Sequence, residues 1–148
     1  QFHEMVNKQS GLLGVSETSP DMRDLLARES NDVRAAEAIA LFCYHAKKSI
    51  GALAAALGGL DTLVFAGGIG ENAPPVRARI CAGLEFLGIE LDPRRNQTNA
   101  PLISKDSAAA AVRVLRTDEE LYIAESVLRF LSAHNPETTD SKPNQGTP

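Results

Sequence analysis

The chain has 148 residues, 43% of them hydrophobic and 23% charged, with a formal net charge of −4. That length can bury the core of one domain, while mixed charge signs, the lack of a basic block and 5% aromatic residues offer no face for nucleic acid. No apolar run is long enough to span a bilayer and no signal-peptide pattern is visible, so a cytoplasmic protein without a membrane partner is expected.

Gln1-Phe2-His3-Glu4-Met5 carries neither an initiator methionine nor a helix cap, so the chain reads as entered in mid-element and as a piece of a longer protein. Residues 1–18 are weakly patterned, and Gly11 and Gly14 are expected to break any helix there. Ser19-Pro20-Asp21 predicts a helix start, with Ser19 as N-cap, Pro20 at the first helical position and an acid in the first turn, running to about Arg28. Asn31 is placed to cap a second helix. Ile39, Phe42, Ala46, Ile50, Leu53 and Leu57 then recur at three- and four-residue steps, and Gly58-Gly59 stops the run. Cys43 and Cys81 each lie in apolar helical patterns and read as reduced packing residues, as suits a reducing compartment.

Thr62 to Ala66 is apolar without alternation, which predicts a strand buried on both faces, as in a parallel sheet. It ends in glycines, after which Asn72 is placed to cap a third helix, with Pro74 and Pro75 tolerated in its first turn. Val76, Ile80, Leu84 and Leu87 form that helix's stripe and Gly88 its end. Ile89-Glu90-Leu91 reads as a short strand, Asp92-Pro93 as a turn, and residues 94–109 as polar and irregular. Ala111 to Leu115 predicts another strand. Thr117 opens a last helix, with a capping box completed by Glu120 and a packed stripe of Leu121, Ala124, Leu128 and Leu131. From His134 the residues are those of a disordered tail, leaving residues 1–133 as the domain. The class is α/β with a helix crossing between strands, and so few short strands predict that part of the domain lies elsewhere.

The chemistry centres on Leu63 to Asn72. A buried strand that stops in a Gly-rich turn at a helix start can bring backbone N–H groups close to a phosphate. Gly68-Ile69-Gly70-Glu71-Asn72-Ala73 also fits the G-x-G-x-x-A dinucleotide fingerprint, with Glu90 or Asp92 some way on, although Pro74 and Pro75 crowd the helix start. A purely structural turn remains a third reading. His3, His45 and His134 are scattered, and neither Ser nor Cys has an evident partner base.

Several blocks together resemble the acetate kinase family. Asn7-Lys8-Gln9-Ser10-Gly11-Leu12-Leu13-Gly14-Val15-Ser16 is similar to a signature stretch of that family, followed by Asp21-Met22-Arg23-Asp24-Leu25. Phe65 to Asn72 is similar to its G-I-G-E-N segment, and Gly83 to Asp92 and Thr117-Asp118-Glu119-Glu120 follow in the family's order. The resemblance implies a partial acetate-and-sugar-kinase/Hsp70/actin (ribonuclease H-like) domain. It implies reversible transfer of the γ-phosphoryl group of ATP to acetate, giving acetyl phosphate and ADP, with Mg²⁺ and in a homodimer. It carries nucleotide contacts over to Asp21, Met22 and Arg23 and to Gly68, Ile69, Gly70, Glu71 and Asn72, and a Mg²⁺ contact to Glu119. Asp118 departs from the family's usual Asn and adds negative charge beside Glu119. The family's catalytic residues lie upstream of this chain, so the fragment alone is expected to be inactive. A propionate kinase of the same family, a dinucleotide (NAD) module and a non-catalytic interaction domain are the alternatives.

Overall fold

The structure, a computed structural model, describes residues 2–134. The expected tail beyond His134 lies outside them. The chain divides into two compact units, one up to Arg116 and one from Thr117 onward.

The first unit opens with two short helices, α1 (Phe2–Lys8) and α2 (Gly11–Ser16). Gly11, in left-handed backbone, stands at the break between them as expected, whereas Gly14 lies within α2 and does not break it. Gly11 begins α2 with φ +64°, and Gly14 lets the chain fold back on itself, because a Cβ there would stand 2.8 Å from the Gln9 carbonyl oxygen. The next two caps fall later in the sequence than expected. Asp21, not Ser19, caps α3 (Met22–Arg28), its carboxylate accepting from the Arg23 N–H at 2.8 Å. Ser19 instead accepts from the Asp21 N–H and donates to Asp24. Asp32, not Asn31, caps α4 (Val33–Leu57) by accepting from the Arg34 and Ala35 N–H groups. In each case the residue adjoining the first helical position takes the cap, since Ser, Asn and Asp cap about equally well and position decides. Gly58, at φ +76°, ends α4 as expected.

Within α4 the buried face is Ala35, Ala38, Ile39, Cys43 and Ala54. Small residues on that face let α2 and α3 approach closely. Leu53 and Leu57, expected in the packed stripe, are 63% and 76% exposed.

Strand β1 (Thr62–Phe65) pairs in parallel with β2 (Ala111–Val114), Thr62 opposite Ala111 and Phe65 opposite Val114. Among the described residues these are the only two sheet strands. Leu63 and Phe65 are half-buried and Thr62 and Val64 exposed, so the expectation of burial on both faces fails: one face has no cover among the described residues. The crossover runs through α5 (Gly67–Asn72), α6 (Pro74–Cys81), a 3₁₀ turn at Glu85–Leu87 and α7 (Pro93–Gln97). The predicted third helix is therefore cut short. Gly83, at φ +81°, follows α6, and Gly88, at φ +79°, closes the 3₁₀ turn. Residues 89–91 form a single antiparallel bridge, Leu91 to Ser104, rather than a strand. Asp92 turns the chain by capping α7, and Arg95 ties residues 94–109 together through Ser104 O and Asp106.

Two cores result. Met22, Leu25, Ala35, Ile39, Cys43, Val76 and Ile80 belong to the first. Cys81, Leu84, Ile89, Ile103, Ala110, Val112 and Val114 form the second. Helix α6 joins them, since its neighbours Ile80 and Cys81 face opposite cores.

The second unit contains α8 (Glu119–His134). At its start the Asp118 carboxylate accepts from the Leu121 N–H at 2.9 Å. The expected stripe is not buried: Leu121, Leu128 and Leu131 are all more than half exposed.

Two glycines predict opposite responses to alanine. At Gly88 a Cβ would stand 2.8 Å from the Ala109 Cβ on a left-handed backbone; Gly88→Ala is expected to lower the unfolding free energy by about 2–4 kcal/mol. Gly51 sits inside α4 with open space around it. There Gly51→Ala is expected to raise stability by about 0.5–1 kcal/mol. Urea unfolding followed by circular dichroism measures both.

Candidate functional site

The glycine stretch is itself helical. Ala66 is extended, Gly67 turns the chain at φ +69°, and α5 follows directly. Each remaining residue of the stretch has a distinct task. A Cβ at Gly70 would lie 3.1 Å from the carbonyl carbon of Phe65, so this glycine lets α5 press onto the end of β1. A Cβ at Gly68 would meet nothing within 4 Å, so this one faces open space. The Glu71 carboxylate accepts from the Gly67 N–H at 3.1 Å and closes the helix start. Asn72 is not the cap of the next helix; its amide donates to Gly68 O at 3.1 Å, and Ala73 starts α6 without a side-chain cap. A dinucleotide fingerprint needs one helix running on from its glycines. Here the helix ends at Asn72 and a new one starts at Pro74.

Asp21 and Arg23 pair at the start of α3. The guanidinium grips the carboxylate through Nη2 at 2.6 Å and Nε at 3.1 and 3.2 Å. That grip, helped by the Arg23 N–H, holds the Asp21 carboxyl down at about 2. The Arg23 side chain is 87% exposed. Met22, between them, is buried in the first core.

The two segments meet. A cavity of about 360 Å³ is lined by Met22, Arg23 and Leu26 of α3 and by Gly68, Ile69, Asn72 and Ala73. Of the eight residues expected at a nucleotide, five line it. The other three stand behind: Asp21 caps α3 and pairs with Arg23, Gly70 packs on Phe65, and Glu71 holds the Gly67 amide. A wider cavity of about 490 Å³ beside α6 and α7, bordered by Pro74, Cys81, Glu85 and Asn96, contains none of the expected residues. Burial in the second core pushes the Cys81 thiol up to about 12, which leaves it no nucleophile.

Sequence reasoning missed Leu26, Ala73 and, above all, Arg77. Arg77 is fully buried, and its guanidinium bonds the carbonyls that end α5. Neither a motif nor an apolar period marks it; a charge beside Val76 in a helix reads as solvated surface.

In the second unit, Glu119 lies in the first turn of α8 and lines a cavity with Thr117, Asp118, Tyr122 and Ile123. Among the described residues no group of three or more His, Cys, Asp or Glu could hold a metal ion. A single carboxylate suits Mg²⁺, which keeps its waters and binds through one or two carboxylates and substrate phosphates, and the oxygen donors at 118 and 119 fit that.

The family model described as "Acetokinase family" matches residues 1–125. The chain is 52% identical over 132 residues to an acetate kinase of Rhizobium meliloti, covering 89% of this chain and 33% of that protein. It is 46% identical over 137 residues to a propionate kinase of Citrobacter rodentium, covering 92% of this chain and 34% of the relative. Its structure matches that of the Porphyromonas gingivalis acetate kinase with a TM-score of 0.78 at 41% identity, over 87% of this chain and 33% of the other. For a propionate kinase from Francisella tularensis the TM-score is 0.75 at 36% identity, over 84% and 32%. The chain thus spans about a third of the length of these relatives. The fold is a partial acetate-and-sugar-kinase/Hsp70/actin domain. With the family's blocks in order, its fold matched, and 125 residues of the chain under its model, the chain belongs to the acetokinase family.

Proposed function

We propose that residues 1–133 supply the C-terminal nucleotide-binding portion of a cytoplasmic kinase that moves the γ-phosphoryl group of ATP reversibly to acetate. Propionate is the second candidate acceptor, since relatives of both names match at similar identity. The observation that carries the reading is the shared cavity between α3 and α5, where Arg23, the open face of Gly68, and Asn72 converge. The buried, unpaired thiols fit a reducing compartment.

Phosphoryl transfer needs positioning and charge neutralisation more than a reactive side chain. Gly68 admits close approach of the nucleotide. Arg23, exposed and anchored by Asp21, can stack on a purine or reach a phosphate. Met22 and Leu26 give the cavity an apolar wall. Mg²⁺ supplies neutralising charge on the phosphates when bound, and Glu119 is the residue of this chain proposed to hold it, directly or through water. The acyl acceptor's site and the catalytic groups are assigned to other parts of the protein, so the chain alone is not expected to turn over. The whole protein is proposed to be a homodimer, for which exposed Leu53 and Leu57 on α4 offer apolar surface.

Calorimetric titration with Mg·ADP, with NAD as control, tests the site. Gly68→Val should leave the circular dichroism unchanged and abolish binding, because its side chain enters the cavity rather than the core. Gly70→Val is the poorer probe, since it would displace α5 from β1. Arg23→Ala should weaken binding about tenfold. Saturable NAD binding without ADP binding, or a Gly68→Val variant that binds as tightly as the parent, sinks the reading. In the natural protein, Glu119→Gln should raise the Mg²⁺ concentration needed for half-maximal activity at least about tenfold.

The Asp21–Arg23 pair has its own pH signature. A carboxyl held below its ordinary 3.8 contributes stability above that value and loses the contribution as pH falls through about 2. The side-chain carboxyl shift of Asp21 should titrate near 2 by NMR and move back toward 3.8 in Arg23→Ala.

A further inference from the structure

Arg77 is the largest fully buried side chain among the described residues. Its guanidinium makes five hydrogen bonds, and all five acceptors are neutral oxygens. Nη1 donates to Gly70 O at 2.7 Å and Glu71 O at 3.1 Å. Nε donates to Asn96 Oδ1 at 2.8 Å, and Nη2 donates to Asn96 O at 2.7 Å and Asn99 Oδ1 at 2.6 Å. A guanidinium has five N–H donors, so the set is complete. Among the described residues no carboxylate bonds it, and burying an unpaired cation is costly. An apolar side chain of similar volume would fill the same space without that cost, so what the cation adds must come from where its hydrogen bonds go.

They go mostly to the carbonyl ends of two very short helices. Gly70 O and Glu71 O are among the last carbonyls of α5, which has six residues and cannot hold its shape by its own hydrogen bonds. Asn96 O is near the end of α7, and the Asn96 side chain also donates to Pro74 O at the start of α6. One guanidinium thus clamps α5 from behind against α6 and α7, while the open face of Gly68 and the Asn72 side chain point to the cavity.

We propose that Arg77 is a positioning residue for the nucleotide: by clamping the carbonyl end of α5 it fixes where Gly68, Ile69 and Asn72 stand, and so sets nucleotide affinity without touching the ligand. This rests on the nucleotide reading of the cavity. Two variants test it in the natural protein. Arg77→Lys keeps the charge and loses the fork; Asn99→Gly removes one acceptor and suits the left-handed backbone there, φ 52°. Amide hydrogen exchange across residues 67–73 should quicken about tenfold or more in Arg77→Lys, while amides in the middle of α4 exchange as in the parent. Affinity for Mg·ADP should fall about tenfold with KM for the carboxylate unmoved, and Asn99→Gly should shift both readouts the same way by less. A loss of stability alone would quicken exchange throughout and would not separate the two KM values. Unchanged exchange at 67–73, or quickened exchange with Mg·ADP bound as tightly as by the parent, overturns the proposal alone. A parent protein that takes no Mg·ADP overturns the nucleotide reading and the proposal with it. If Arg77→Lys does not fold, Asn99→Gly decides.

Discussion

Phe65 ends β1 with its carbonyl carbon 3.1 Å from where a Cβ of residue 70 would be. No side chain larger than hydrogen fits there without moving the backbone, so this single contact sets the distance between strand and helix. From it follows the rest of the site's geometry. Helix α5 lies across the strand end, Gly68 is turned outward, and the cavity wall opposite is left to α3, itself seated on α4 through Met22 and Leu25. The glycines are not interchangeable. Gly67 is there for a backbone angle, Gly70 for a contact and Gly68 for empty space.

That division of labour also explains how charge is handled around the cavity. Asp21 is ionised at all ordinary pH and spends its charge on Arg23 and on the start of α3. Glu71 spends its charge on the Gly67 amide. Neither carboxylate lines the cavity, so the groups that do are apolar, neutral or cationic, as the proposed nucleotide would require.

How much of this could be read beforehand depended on the range of the interaction. Local signals worked for Gly58 as the end of α4 and for the two strands near Thr62 and Ala111, whereas the meeting of Met22 and Arg23 with Gly68, Ile69 and Asn72 was foreseen only through the family resemblance. Caps were misplaced by a residue or two, because Ser19 and Asp21, or Asn31 and Asp32, are all competent acceptors and only three-dimensional geometry chooses between them. Burial was over-read wherever an apolar pattern lacks a partner among the described residues, as at Val64, Leu53, Leu57 and Leu128. Arg77 was invisible because its acceptors are backbone carbonyls six and seven residues back and oxygens of Asn96 and Asn99 further on, which no pattern around position 77 announces.

The two cysteines illustrate a different use of the same packing. Cys43 lies in one core and Cys81 in the other, both unpaired and both with burial pushing the thiol up. Neither reacts readily while its core is closed, since the thiolate is scarce and the sulfur is shielded. Each therefore acts as a built-in clock for the opening of its own half of the first unit. An alkylating probe at Cys43 times the loosening of the helices that carry Met22 and Arg23, and one at Cys81 times the loosening of the sheet side. Because α6 carries the wall between them, the two clocks would run together only if that helix leaves its place.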